Sequence, residues 1–294
     1  MYSTLSHTEK AKLFLYIPAV WLIFYIIVAS YNYYIFFNDS FMAHNKILKN
    51  LISIIFYFFG VMAIICHTLT ILEDPGTFNR KIVTDILQYN EKELCRKCSK
   101  LRPIRAHHCS RCNRCFMKLD HHCPWVFNCI GVANHKIFIL FLIYTILSSL
   151  ISFSMFVKFL HDFSGEIFFY THVRLRKLDF LDNSFRIFGN DLKNAGHYIL
   201  IIFGVILNFL TLTFVSSLFM TQMNLIKRNI TNIENDIYED DESENPFYTD
   251  EHVCFVLSNF FKCKQKWKIF FPFVEPNLYH GGYVFKMPKK KINK

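Results

Sequence analysis

Charge is missing from the places where a transporter needs it. Four long apolar runs, roughly Leu13 to Phe37, Ile47 to Leu72, Ile137 to Phe159 and Tyr198 to Ile226, carry no Asp, Glu, Lys or Arg in their middles. Ion-coupled transport and proton pumping need buried ionisable groups along a path, so both are disfavoured. The first run also lacks an obvious small-residue cleavage site and is too long for the core of a secretory signal, so it is expected to stay as a transmembrane helix. Glycine is missing from position 2, where Tyr2 stands, and this excludes N-myristoylation. Clear hydrophobic periodicity is missing from residues 161–196, which mix aromatic, basic and acidic residues and read as a loop without an assigned role.

What is present in quantity is apolar and aromatic. The 294 residues are 52% hydrophobic with 34 Phe, too apolar for a soluble globule and in keeping with a membrane protein. The formal charge of +10 sits beside the apolar runs. Attraction to an anionic leaflet explains that charge as simply as nucleic acid would, and no nucleic-acid partner is expected. Lys and Arg number eleven between residues 73 and 135 and eleven from 226 onward, against two in the first loop and five in the third. With four spans, this asymmetry places both termini and the 73–136 segment in the cytosol. The sequon at Asn229 is then expected to stay unmodified. Within the spans, His67, Asn208, Thr211 and Thr213 read as packing residues.

Between the second and third spans lies CRKCSKLRPIRAHHCSRCNRCFMKLDHHCPWVFNC, the 35 residues from Cys95 to Cys129, with seven of the ten cysteines and four of the thirteen histidines. CxxC pairs interleaved with His-His doublets and flanked by basic residues read as metal binding in a reducing compartment, not as a disulfide framework. Eleven soft ligands exceed what one zinc can use, and two tetrahedral sites need eight. Three are left over, and spacing does not say which. The DHHCPW run at 120–125 packs a carboxylate, an imidazole and a thiol within four residues, which is the company a nucleophilic thiol requires. The expected architecture is therefore a mainly α-helical integral membrane protein, four transmembrane helices with a cytosolic cysteine-rich double-zinc domain between helices 2 and 3.

From Cys95 to Asn134, some 40 residues, the sequence closely resembles the cysteine-rich domain of the DHHC protein S-acyltransferases, the palmitoyltransferases. Asp74-Pro75-Gly76 after the second span resembles the family's DPG element, and Thr231-Asn232-Ile233-Glu234 its TTxE element, with Asn232 where a second Thr is usual. Asn245-Pro246-Phe247 resembles the start of a further C-terminal motif, with Asn259 as its usual Asn. The resemblance implies two interleaved zinc sites: Cys95, Cys98, His108 and Cys115 for one, Cys109, Cys112, His122 and Cys129 for the other. It leaves Cys123 as the nucleophile, His121 as its base and Asp120 orienting the imidazole. His107 is also free of metal.

The activity so implied is transfer of a long acyl chain from palmitoyl-CoA or another long-chain acyl-CoA to cysteines of cytosolic or membrane-associated proteins. Transfer would run by ping-pong kinetics through a Cys123 thioester. Arg102, Arg105 and Lys118 are candidates to meet the CoA phosphates. Trp125 suits the membrane interface. Cys66, Cys254 and Cys263 are incidental, although Cys254 and Cys263 lie near enough to the membrane to be acylated themselves. The expected segments are a cytosolic 1–12, transmembrane helices 1 and 2 in 13–72, the zinc domain in 73–136, helices 3 and 4 with a lumenal loop in 137–226, and a cytosolic tail in 227–294. Seven acidic residues between Glu234 and Glu244 read as a solvated linker, and the ending KKKINK leans toward endoplasmic reticulum or Golgi membranes. Two other readings use the same ligands, a non-catalytic membrane-anchored zinc scaffold and a cross-braced ubiquitin-ligase-like module. Neither has a use for a spare thiol inside DHHCPW.

Overall fold

A computed structural model describes residues 46–77, 93–99, 101–102, 105–176, 184–237 and 270–272. The run from Leu13 to Phe37, the Asn245-Pro246-Phe247 motif, Asn259, Cys254, Cys263 and the acidic residues beyond 237 lie outside them. The described elements are mainly helical: α1 (Lys46–Leu72), α2 (His135–Arg176), α3 (Ser184–Lys227) and the short α4 (Asn232–Ile237). Between α1 and α2 come six short strands, β1 (Glu93–Leu94), β2 (Leu101–Arg102), β3 (Ala106–Cys109), β4 (Arg114–Met117), β5 (His121–Cys123) and β6 (Asn128–Ile130). Consecutive strands pair antiparallel, giving three two-stranded ribbons.

Among the described residues, three stretches are long and apolar enough to cross a membrane: Asn50–Leu72, His135–Lys158 and Phe203–Lys227. They match three of the four runs read from the sequence. Residues 161–176 and 184–196, read as loop, are instead helical, as continuations of α2 and α3. No proline interrupts that segment, so nothing in the backbone stops either helix early. At 1.5 Å per residue the 42 residues of α2 extend about 60 Å, roughly twice the apolar thickness of a bilayer.

The chain divides into two compact units. In the first, which among the described residues takes in those between 62 and 143 and from 218 onward, the metal-ligand segment is fastened to the helix ends around it. The carbonyls at the end of α1 have no helical partner, and Asn128 Nδ2 takes up three of them, those of Thr70 at 3.0 Å, Ile71 at 3.2 Å and Glu73 at 2.9 Å. Asp74 closes the turn that follows, its Oδ1 accepting the Gly76 amide at 2.8 Å. Pro75 and Gly76 then pair with the domain: Ala133 N–H donates to Pro75 O at 3.2 Å and Met117 N–H to Gly76 O at 2.9 Å. A side chain on Gly131 would meet Pro75 O at 2.4 Å, so only glycine allows this approach.

At its other end the same unit holds a tight corner. Helix α3 stops in a Schellman turn, with Asn229 in the left-handed region (φ 56°), its N–H on Ile226 O at 3.0 Å and Ile230 N–H on Leu225 O at 3.0 Å. A capping box opens α4 at once. Glu234 N–H donates to Thr231 Oγ1 at 3.2 Å, and Thr231 N–H donates to Glu234 Oε2 at 2.9 Å.

The second unit takes in, among the described residues, those of 46–61 and of Tyr144–Ser217. Phe153 and Phe209 meet ring to ring at 6.1 Å. Phe156 lies against Gly204, where an added Cβ would come within 2.8 Å of the ring. Asn208, Thr211 and Thr213 bond back to Gly204 O, Leu207 O and Phe209 O at 2.8–2.9 Å, as packing residues in an apolar helix do.

Candidate active site and metal centres

Two four-residue groups bring their ligand atoms within 4.8 Å of one another: Cys95, Cys98, His108 and Cys115, and Cys109, Cys112, His122 and Cys129. These are the two sets that the resemblance implied. Strand geometry explains their interleaving. Successive side chains on a strand face opposite ways, so His108 and Cys109, neighbours on β3, serve different groups. Pairing completes each group, because His108 lies opposite Cys115 across β3–β4 and His122 opposite Cys129 across β5–β6.

The donor atoms fit zinc. Cys112 Sγ lies 3.5 Å from Cys129 Sγ, and His122 Nδ1 lies 3.4 to 3.7 Å from the sulfurs of Cys112, Cys129 and Cys109. In the other group Cys98 Sγ and Cys115 Sγ are 3.6 Å apart, and His108 Nδ1 is 3.7 Å from Cys115 Sγ. Bonds of about 2.3 Å to sulfur and about 2.0–2.1 Å to nitrogen make tetrahedral edges of roughly 3.5–3.8 Å. Both groups match that size.

Six of the seven cysteines between 95 and 129 are thereby used, and Cys123 is the one outside both groups. Alternation along β5 sends His122 to the metal group and leaves His121 and Cys123 for the opposite face. Cys123 is buried. His121 Nδ1–H donates to Asp120 Oδ2 at 2.7 Å, and Cys123 is among the neighbours that favour the charged imidazolium. Burial alone would lower the His121 pKa, but the bond to Asp120 and the neighbouring Cys123 outweigh it and raise it to about 9. Asp120 is fully buried. Burial would raise its pKa, yet the His121 bond leads the effects that hold it down at about 2.

The rest of the Asp120 environment was not read from the sequence. Gln222 Nε2–H donates to Oδ2 at 2.9 Å, and the main-chain N–H of Asn232 donates to Oδ1 at 2.7 Å. His135 Nε2–H in turn donates to Gln222 Oε1 at 2.7 Å. Gln222 and His135 lie at the ends of apolar helices, and nothing in their spacing tied them to residue 120. The substitution at Asn232 is accommodated because the contact is made by its backbone.

Two cations proposed for CoA phosphates have other work. Arg105 is buried, its Nε donating to Glu234 Oε1 at 2.7 Å and its Nη2 to Asn229 O at 2.7 Å. A guanidinium clamped on a buried carboxylate is not a surface phosphate ligand. Lys118 Nζ donates to Asn229 Oδ1 at 3.4 Å, and burial, with Arg105 nearby, lowers its pKa to about 7. Glu234 is held at about 2: burial opposes this, but its bonds from Arg105, with His107 Nε2 3.8 Å away, prevail. His67 behaves as a packing residue, buried with its ring 5.1 Å from Phe141. Trp125, beside Cys123, is 57% exposed.

A sequence model described as DHHC palmitoyltransferase matches residues 88–239, which is more than half of the chain. The chain belongs to that family. Among curated relatives of this DHHC chain, probable protein S-acyltransferase 12 of Arabidopsis thaliana is 36% identical over 118 residues, 35% of this chain and 40% of the relative. Palmitoyltransferase ZDHHC7 of Rattus norvegicus is 41% identical over 105 residues, 33% of this chain and 34% of the relative. Probable protein S-acyltransferase 14 of Arabidopsis thaliana is 52% identical over 73 residues, 24% of each chain. The chain thus covers two fifths or less of the length of these DHHC relatives.

Proposed function

We propose that this chain is an integral membrane palmitoyltransferase that moves a long acyl group from acyl-CoA to protein cysteines through a thioester on Cys123. The observation that carries the reading is that His121, bonded to Asp120, shares a strand face with Cys123, apart from two complete four-ligand metal groups.

With Nδ1 of His121 on the carboxylate, Nε2 is the nitrogen left to exchange a proton with the thiol. With its pKa raised to about 9, the imidazole holds the proton that Cys123 gives up, and the thiolate sulfur attacks the acyl carbonyl. The carbon–sulfur bond to CoA then breaks, and CoA leaves as a thiol with the proton from His121. The acceptor cysteine repeats these steps in reverse order, and free Cys123 returns. One thioester replaces another at each stage, so the same thiol can take up the chain and release it.

Cys95, Cys98, His108 and Cys115 would hold one zinc and Cys109, Cys112, His122 and Cys129 a second. With four protein ligands closing each site, zinc supplies rigidity there and not Lewis acidity. Each buried methylene of the acyl chain contributes about 0.8 kcal/mol, which favours a donor chain held at bilayer depth. Given the four apolar runs, the charge asymmetry supports placing the thiol on the cytosolic side of the membrane, and the KKKINK run leans toward endoplasmic reticulum or Golgi membranes.

The test is acceptor acylation by purified protein at varied concentrations of palmitoyl-CoA and of a cysteine-bearing acceptor. The reading expects parallel double-reciprocal lines and no transfer by Cys123→Ser. Transfer by the serine variant at the wild-type rate would sink it.

A further inference from the structure

Asp120 has no contact with water, and its two oxygens are shared among three donors: His121 Nδ1–H, Gln222 Nε2–H and Asn232 N–H. His121 and Gln222 converge on the same atom, Oδ2, at 2.7 and 2.9 Å. The direction of the Gln222 amide is dictated from both ends. An ionised carboxylate only accepts, so the amide must offer it NH2. Its oxygen then faces His135 Nε2, 2.7 Å away, which must carry a hydrogen. His135 and Gln222 are themselves buried, so neither can turn to water for a substitute partner. The series His135, Gln222, Asp120, His121 is continuous and ends on the ring that meets Cys123.

We propose that Gln222 is a positioning residue for acyl transfer: anchored by His135, it fixes Asp120 Oδ2 where His121 Nδ1 meets it. The inference rests on the acyl-transfer reading above. Gln222 touches neither thiol nor substrate in this role. It acts by keeping the carboxylate in one orientation, which keeps the imidazole in the tautomer whose free nitrogen serves the thiol. Asn232 N–H secures the other oxygen, so without Gln222 the carboxylate is held at one end only.

The experiment measures single-turnover formation of the Cys123 thioester from alkyne-tagged palmitoyl-CoA, using the full chain in detergent with zinc content determined for each variant. Gln222→Leu should lower the maximal rate by about tenfold or more, with half-saturation by the acyl-CoA changed less than about twofold. Gln222→Glu keeps the shape and the oxygen toward His135 but sets a second carboxylate against Asp120, and should lose rate similarly with two zinc ions retained. Should Gln222→Leu fail to hold two zinc ions, Gln222→Glu decides.

A purely structural role is separated by an Asp120→Asn background, in which Gln222→Leu should cost less than about twofold, because the group it positions has gone. Wild-type rates in both Gln222 variants, or an equal loss with and without Asp120, would overturn the proposal. A zinc-loaded wild type that forms no thioester would overturn the acyl-transfer reading and this inference with it, whereas wild-type labelling with unaffected Gln222 variants overturns this inference alone.

Discussion

The amide nitrogen of Asn232 stands 2.7 Å from Oδ1 of Asp120, so the first turn of α4 closes over the DHHC carboxylate with a main-chain donor. Replacing the side chain should therefore matter little and removing the N–H should matter greatly. Asn232→Thr is expected to keep the thioester-forming rate within about twofold and stability within about 0.5 kcal/mol. Asn232→Pro, at a first helical position where proline is tolerated, should keep both zinc ions yet lose about tenfold or more in rate. Equal behaviour of the two variants in a labelling time course would contradict this account.

The Arg105–Glu234 pair ties the zinc domain to α4 through two buried charges. Removing one partner leaves the other buried and unpaired, so Arg105→Ala should cost about 3–5 kcal/mol. The pH sign follows from Glu234, whose pKa falls from 4.5 to about 2 on folding. Its contribution is present above about 4.5 and is lost only as pH falls toward 2. The stability gap between wild type and Glu234→Gln should accordingly be flat from about pH 8 to pH 6. Thermal melts in which the gap shrinks across that range would count against the assignment.

Gly131 is where the turn after α1 touches the zinc domain, with Pro75 O 2.4 Å from the position of an added Cβ. Gly131→Ala must displace backbone, which a well-packed site resists at a cost of about 1–3 kcal/mol. The check is a denaturation midpoint beside that of Gly204→Ala, whose clash is with the Phe156 ring and can be relieved by a side chain.

The two metal groups share the β3–β4 hairpin but no ligand, which makes zinc stoichiometry diagnostic. Cys95→Ser and Cys129→Ser should each reduce bound zinc from two ions per chain toward one, as read by elemental analysis. The loss at Cys129 should also end thioester formation, since β6 carries Cys129 next to Asn128, the partner of Cys123 across the ribbon. A Cys129→Ser protein with two zinc ions would contradict the ligand set.

Much of the site was legible because its residues are close in sequence and match the family's motif; strand alternation explains their sorting only once the strands are seen. His108 beside Cys109, and His122 beside His121, separate to opposite faces by geometry alone. The DPG and TTxE-like elements were legible as motifs, but their contacts were not. Gln222 is 102 residues from Asp120, and a single amide near the end of an apolar helix gives no periodic signal. Arg105 was misread as a surface cation because its partner, Glu234, is 129 residues away. Residues 161–176 and 184–196 were misread as loop because mixed aromatic and charged residues blur the helical period, although no proline prevents a helix there.

The central claim is a covalent acyl intermediate on the one cysteine of the ligand-rich segment that lies outside both metal groups. It is tested most directly by incubating purified protein with alkyne-tagged palmitoyl-CoA, wild type beside Cys123→Ser, with zinc measured in both and hydroxylamine added afterwards. The account predicts label on wild type alone, release of that label by hydroxylamine, and equal zinc in the two proteins. An unlabelled wild type carrying two zinc ions would contradict it.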